Sequence, residues 1–377
     1  MPMAIDPCDG DRRRLLQRAA ASLLGAAAGG SARAGRVAGE PSGPRLAAAW
    51  EANTGHHVGV LQRGAGRLEQ VSALEVPTRA HGLSRERSGS LLAVARRPGG
   101  WLVRWHPGTR SAPQWKWIEP GRAFNGHALA SADGKCLFST ETDLETGHGM
   151  VAVRDARSLD KVTEWPTHGM DPHALVLDRD GQLMVANGGI PTLPESGRVK
   201  RQLDRMDPSL VRLDTASGRL LGQWRLDDAR LSLRHLAWGE DRGGRPLLGI
   251  AMQAEHDAAE ARTRAPVLAL FDGSRLSTVA VAHDLAGYGG DIAFARGSFA
   301  VSCPRAHGVL LHAAVGGAST LVSLDEACAL ASRAASGTIW AAGRYEAMAA
   351  VGPAAMAARA AVRGLQLDNH WLLMDDT

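Results

Sequence analysis

Five histidines, one aspartate and one cysteine recur in the same short setting along this chain. Each stands at the head of an apolar run: His81-Gly82-Leu83, His127-Ala128-Leu129, His173-Ala174-Leu175, His235-Leu236-Ala237, Asp291-Ile292-Ala293, Cys328-Ala329-Leu330 and His370-Trp371-Leu372. Imidazole is the commonest side-chain metal ligand and suits iron, copper, zinc and nickel. Residues drawn from seven places can share one ion only if the fold brings seven equivalent positions to one point. The competing reading is structural: a histidine repeated at strand starts can simply hydrogen-bond across a wet channel.

Two other groups carry weaker chemistry. Glu141, Asp143 and Glu145 with His148 form an acidic loop that could complete a coordination shell or supply a general base, although the usual fate of such a loop is solvation. Glu255-His256-Asp257 is a shorter version of it. Gly188-Gly189-Ile190-Pro191-Thr192, with Gly197-Arg198 and Lys200-Arg201, could cradle an anion on backbone N–H groups. It lacks the strand–loop–helix context of a phosphate loop, so a lid over the channel is the better expectation. No G-x-S-x-G, H-E-x-x-H or G-x-G-x-x-G pattern occurs.

The elements that must position these residues follow from the intervals. Successive phrases are 46, 46, 62, 56, 37 and 42 residues apart, the period of a propeller blade of the WD40- or YVTN-like kind. Each repeat reads as short apolar runs separated by turn residues, as in Leu91 to Ala95 and Trp101 to Trp105 around Pro98-Gly99-Gly100. The 44 glycines and 18 prolines are what so many turns require. The expected fold is therefore all-β, a seven-bladed β-propeller over residues 35–377. Its inner strands place the repeated residues around the axis. The C-terminal phrase Leu367 to Leu372 supplies an inner strand, and Arg45 to Trp50, His57 to Leu61 and Val71 to Val76 supply the rest of that blade, closing the ring. An Ala-rich patch near Ala347 to Ala361 is the one place where helix competes. Long loops after the second strand of the second, third and fourth repeats crowd the mouth onto which the axial residues open. Most of the ten tryptophans fall in or beside strands, where packing between blades is the expected role.

Residues 1–34 are set apart. Arg12-Arg13-Arg14-Leu15-Leu16 resembles a twin-arginine export signal, with Asp11, Leu15 and Gln17 departing from the usual pattern; Ala19 to Gly30 is weakly apolar, and Ala32-Arg33-Ala34 fits a small-x-small cleavage site. Export by that route predicts a periplasmic protein that folds before translocation, with any cofactor already inside. Net charge is +4, and the segment 1–34 holds five arginines against three aspartates, so cleavage leaves +2. No basic stripe remains, which argues against nucleic acid, and no run approaches the roughly 20 apolar residues of a membrane span. Removal of Cys8 leaves Cys136, Cys303 and Cys328, an odd number without C-x-x-C, so covalent haem is not expected. Cys303 and Cys328 sit on neighbouring repeats and could bridge in an oxidising compartment.

The chain resembles the exported propeller family of domain of unknown function 1513. The resemblance is carried by the twin-arginine start, Phe124-Asn125-Gly126-His127, Thr140-Glu141 with Gly147-His148-Gly149, Asp171-Pro172-His173-Ala174-Leu175, Asn187-Gly188-Gly189-Ile190, Arg205-Met206-Asp207-Pro208-Ser209-Leu210, Arg234-His235-Leu236 and Asp368-Asn369-His370. Genes of that family tend to lie beside imelysin-type and di-haem peroxidase-like proteins of periplasmic iron uptake. The resemblance thus implies iron- or copper-linked work with such partners, and no catalytic residue. Together these readings predict a monomeric periplasmic propeller that binds a transition metal (iron or copper, zinc less so) or a metal complex as an accessory of iron acquisition. The ligands are expected from His81, His127, His173, His235 and His370, assisted by Glu141 and His148. Two other classes stay open: a lactonase-like or redox enzyme using the same channel, and a protein-interaction scaffold without ligand.

Overall fold

The computed structural model describes residues 43–64, 66–191, 202–333, 337–351, 355–362 and 364–374. The segment 1–34, with its arginine pair and cleavage site, lies outside them, as do residues 192–201 of the glycine-rich stretch.

Seven antiparallel sheets, each of four strands from A inside to D outside, make a β-propeller. Blade I comprises Ala80–Arg85, Leu91–Ala95, Trp101–Trp105 and Gln114–Trp117. The inner strands of blades II to VI are Arg122–Ala130, Pro172–Leu177, Leu231–Glu240, Ile292–Ala295 and Ala329–Arg333. In blade VII the inner strand is split. Gln366–Leu367 and Leu372–Leu373, from the C-terminal end, both pair with Arg45–Ala52, which is followed outward by Gly55–Arg63 and Leu68–Val76. Both ends of the described chain thus meet in one sheet, and the ring closes as the sequence predicts.

Strands B and C read as unbroken apolar runs because each blade is covered on both faces by its neighbours. Leu91–Ala95 is buried at all five positions. The core is consequently a set of layers between blades: Met184, Ala186 and Leu210 of blade III meet Leu231, Leu233, Leu248 and Ile250 of blade IV, and a comparable layer fills every other interface. Burying one such side chain is worth about 1.5–3 kcal/mol. Cohesion between blades therefore comes from these layers, and the residues on the axis are free to be selected for chemistry. Trp101 and Trp50 are fully buried in such layers, whereas Trp117 is exposed.

The Ala-rich patch is not helical. Glu346–Val351 and Ala355–Ala361 form strands C and D of blade VI, so the pairing offered by the sheet outweighs the helix propensity of alanine. The third enlarged loop does hold a short helix, Ala259–Arg264.

Candidate metal centre at the propeller axis

The inner strands of blades I to IV share one irregularity. Their ladders to strand B break register between Ala80 and Leu83, Phe124 and Ala128, Pro172 and Leu175, and Leu233 and Leu236. Every break contains the repeated histidine. A bulge bends its strand and re-aims a side chain, which is how four sheets radiating from an axis turn one imidazole each toward it. Blade VII achieves the same by interruption, with His370 between the two halves of its inner strand in a left-handed conformation, φ 66°. Crowding at the axis requires glycine beside two of these rings. Gly126 has φ 106°, and a Cβ there would come within 2.5 Å of His81 Cδ2. A Cβ on Gly82 would lie 2.3 Å from the Gly126 carbonyl and 2.9 Å from His127 Nδ1.

The five rings form one cluster. Centroids are 4.4 Å apart for His235–His370, 4.5 Å for His173–His235 and 4.8 Å for His81 with His127 and with His370. One nitrogen each of His81, His127, His235 and His370 lies within 4.8 Å of all the others. His173 Nε2 stands 3.2 Å from His81 Nε2 and 2.8 Å from His235 Nε2. A ring nitrogen offers a single in-plane direction, either one N–H or one lone pair, so His173 Nε2 cannot make two good hydrogen bonds. Two ligands at about 2.1 Å from an ion stand roughly 3.0–3.4 Å apart at octahedral or tetrahedral angles. The observed spacings are close to the edges of such a polyhedron.

Hydrogen-bond accounting gives the same answer. His81 Nδ1, His127 Nε2, His173 Nδ1, His235 Nδ1 and His370 Nε2 are buried without a protein partner. Leaving a buried polar atom unpaired costs about 1–3 kcal/mol, so five together rival a whole domain's stability of about 5–15 kcal/mol. An ion on the axis would engage one nitrogen of each ring that binds it, and His127 Nε2 and His370 Nε2 are unpaired for that purpose. Burial, foremost, and the neighbouring rings push the pKa values of His81, His127 and His235 well below the ordinary histidine value. Burial does the same to His173. Neutral rings keep their lone pairs, as coordination needs.

Asp291, at the equivalent position in blade V, supports the cluster from behind. Its Oδ1 lies 3.1 Å from His370 Nδ1 and also accepts from the Ile292 N–H, while Oδ2 accepts from the Leu330 N–H of blade VI. A carboxylate on Nδ1 fixes the tautomer that presents Nε2, the outer arrangement typical of metal-bound histidine. Cys328 does not join. Its thiol is buried, 3.7 Å from the Asp368 carbonyl, and burial with nearby carboxylates pushes its pKa up to about 12. Cys303 and Cys328 are both free thiols, so no bridge links them.

The acidic loop is engaged elsewhere. Glu141 is fully buried, but its carboxylate is held by Arg154 Nη2 at 2.6 Å, Lys161 Nζ at 2.9 Å and the Ser139 hydroxyl at 2.8 Å. Its strand neighbour Thr140 points the other way and donates to the His173 carbonyl across the blade interface. His148 is exposed at the start of its strand. Of the Glu255-His256-Asp257 group, His256 pairs with Asp228 and Asp257 with Arg230. The axial histidines are brought together, and Glu141 and His148 are not part of their cluster.

A ring of arginines at the mouth has no counterpart among the sequence expectations. Asp171, 1% exposed, is gripped by Arg97 and, at 2.9 Å, by Arg234 Nη1. Asp368 takes both Nε and Nη2 of Arg79 at 2.6 Å, with Arg96 3.9 Å away. Gly188 has a place here: a Cβ on it would press against Asp171 Oδ2 at 2.6 Å and Arg234 Nη1 at 3.1 Å. These arginines come from separate segments and so left no basic run to notice. The adjacent pairs Arg96-Arg97 and Arg234-His235 were the available signal.

Among solved structures, this chain is similar to Kuenenia stuttgartiensis hydrazine synthase, at 14% identity with a TM-score of 0.52, over 83% of this chain and 96% of that one. A nidogen/laminin complex structure aligns at 11% identity and TM-score 0.49, over 88% of this chain and 98% of that one. The propeller domain of Myceliophteria thermophila Cps50 (Swd1) aligns at 13% and 0.44, over 69% and 81%. At such identities only the fold is shared. No curated protein matches. The family model described as "Protein of unknown function (DUF1513)" matches residues 74–374, so the chain belongs to that family.

Proposed function

We propose that this propeller binds one first-row transition metal ion on the axis, through His81, His127, His235 and His370 with His173 at hand as a fifth donor. The observation that carries the reading is the convergence of four axial imidazoles, one nitrogen of each within 4.8 Å of the others, among them the unpaired Nε2 of His127 and of His370. A structural zinc site is closed by four ligands. Five nitrogen donors suit copper or iron in a five- or six-coordinate shell better, consistent with the Irving–Williams advantage of copper at nitrogen sites. In the fuller form of the proposal the protein works in the periplasm, exported by the twin-arginine route, as an accessory of iron or copper acquisition beside the iron-uptake proteins implied by its family resemblance. The twin-arginine-like start supports that setting. An interaction scaffold without ligand is what remains if no metal binds.

Protein isolated without chelator and analysed by mass spectrometry should carry close to one transition metal per chain. Metal-free protein should recover that ratio on titration with Cu2+ or with Fe2+ under anaerobic conditions. Asp291→Asn should lower the affinity about 10- to 100-fold, the usual cost of losing an outer-shell partner. A chain that takes up none of Fe2+, Cu2+ or Zn2+ would overturn the reading and leave the histidines as channel lining.

A further inference from the structure

Beside the histidine cluster lies a cavity of about 40 Å3 whose lining includes His81, His173 and His235 together with Arg96, Arg97 and Arg234. Arg234 is 3% exposed, and its Nε and Nη2 are buried without a hydrogen-bond partner. Those two nitrogens form the edge of the guanidinium that holds a carboxylate with two parallel bonds. Elsewhere in this molecule the same edge is filled: Arg79 grips Asp368, Arg104 grips Glu86, and Arg225 grips Asp207. In Arg234 only Nη1 is engaged, by Asp171. Burial, foremost, lowers the Arg234 pKa, and the fields of Asp171 and Glu255 oppose it. Arg96, whose nearest carboxylate at 3.9 Å is already taken by Arg79, brings a second under-used cation to the same cavity.

We infer that this cavity binds a small planar oxyanion of the carboxylate type, formate- or bicarbonate-sized, seated on the Nε/Nη2 fork of Arg234 with Arg96 as a second donor. Its place next to an ion held by His81 and His235 rests on the metal-binding reading above; its grip by the arginines does not. The volume sets the size class, since about 10–15 Å3 of such space accommodates one water and the cavity therefore holds roughly three non-hydrogen atoms. A planar anion with two coplanar oxygens matches the fork, whereas tetrahedral sulfate matches it less well and is larger.

The test has two arms. In the first, metal-free protein is titrated calorimetrically with formate and with bicarbonate, with sulfate as the control. Binding of one or both planar anions, weakened about tenfold or more by Arg234→Gln and by Arg96→Gln, is expected; Arg96 makes no short ion pair, so the second variant keeps the fold even if the first does not. Preference of formate over bicarbonate, or the reverse, identifies which member of the class fits. In the second arm, protein loaded with Co2+ is titrated with the same anions while its visible spectrum is followed, and a shift shows the anion beside the ion. Equal binding by wild type and both variants, or binding of sulfate alone, would overturn the inference, as would normal Co2+ uptake with no anion bound in either arm. Failure of Co2+ and also of Cu2+, Fe2+ and Zn2+ to bind while the first arm succeeds would sink the metal reading and leave the arginine site standing.

Discussion

Replacing His81 and His235 together with alanine is expected to abolish stoichiometric metal binding while leaving the propeller folded. The Nε2 atoms of the two rings stand 3.2 and 2.8 Å from that of His173, and both rings belong to the four-nitrogen set. Losing a single outer-shell partner already costs 10- to 100-fold, so two ligands lost from the inner shell should move binding out of the micromolar range. Folding should survive because the cohesion lies in the layers between blades, and the histidines occupy bulges where the ladder is already broken. The double variant should keep the wild-type far-ultraviolet circular dichroism. It should also lose the rise in melting temperature that metal gives the wild type, a stabilisation of about 4 kcal/mol at a thousandfold excess over Kd. A variant that still binds one equivalent would show that the ion, if any, sits elsewhere.

Metal-free protein is expected to lose stability steeply as pH falls through the range just below 6.5. His81, His127, His173 and His235 all have folded pKa values pushed well below the unfolded value. The unfolded chain therefore binds protons that the native ring refuses, and unfolding is favoured by acid. The stabilisation is complete above about pH 6.5 and fades below it, at up to about 1.4 kcal/mol per pH unit for each histidine. All four shifts have the same sign, so their effects on stability run in the same direction. The carboxylates act in a separate, lower window: Glu164, held by Arg122 and Lys161, is drawn down to about 2, and its contribution fades only below the ordinary glutamate range. Urea titrations in the presence of chelator at pH 7.5, 6.5, 5.5 and 5.0 would show the slope. A profile flat down to pH 5.0 would mean that the rings are open to water and not buried as described.

The sequence was most informative where a constraint recurs. All seven inner strands share the same short phrase, so the blade count was visible as spacing, and five of the seven phrases carry the histidine that meets the axis. Glu141 stands beside a long loop in the sequence, but its strand decides where its carboxylate goes. Strand alternation puts Thr140 and Glu141 on opposite faces, and Arg154 and Lys161, 13 and 20 residues further on, claim the carboxylate. Cys328 shares the phrase of the histidines, yet its thiol stays protonated under the Asp368 carbonyl. The arginine ring leaves no local pattern in the sequence, because distant segments converge to make it; only the topology brings Arg79, Arg96 and Arg97 near Asp368, Asp171 and Arg234. The alanines of blade VI misled in the opposite direction, since local propensity there yields to edge-to-edge pairing.

The split inner strand of blade VII gives the axial site a second meaning. His370 reaches the axis only after the segment around it has docked on Arg45–Ala52, with Trp50 opposite Leu367 and Leu46 opposite Leu373. An ion held by His370 together with His81 and His127 would therefore span the seam and latch the ring. Prising the two ends apart would mean surrendering the ion first, and a chain clipped before residue 366 would keep six blades but have no latch to fasten. Metal content, measured on a preparation, would then count closed rings.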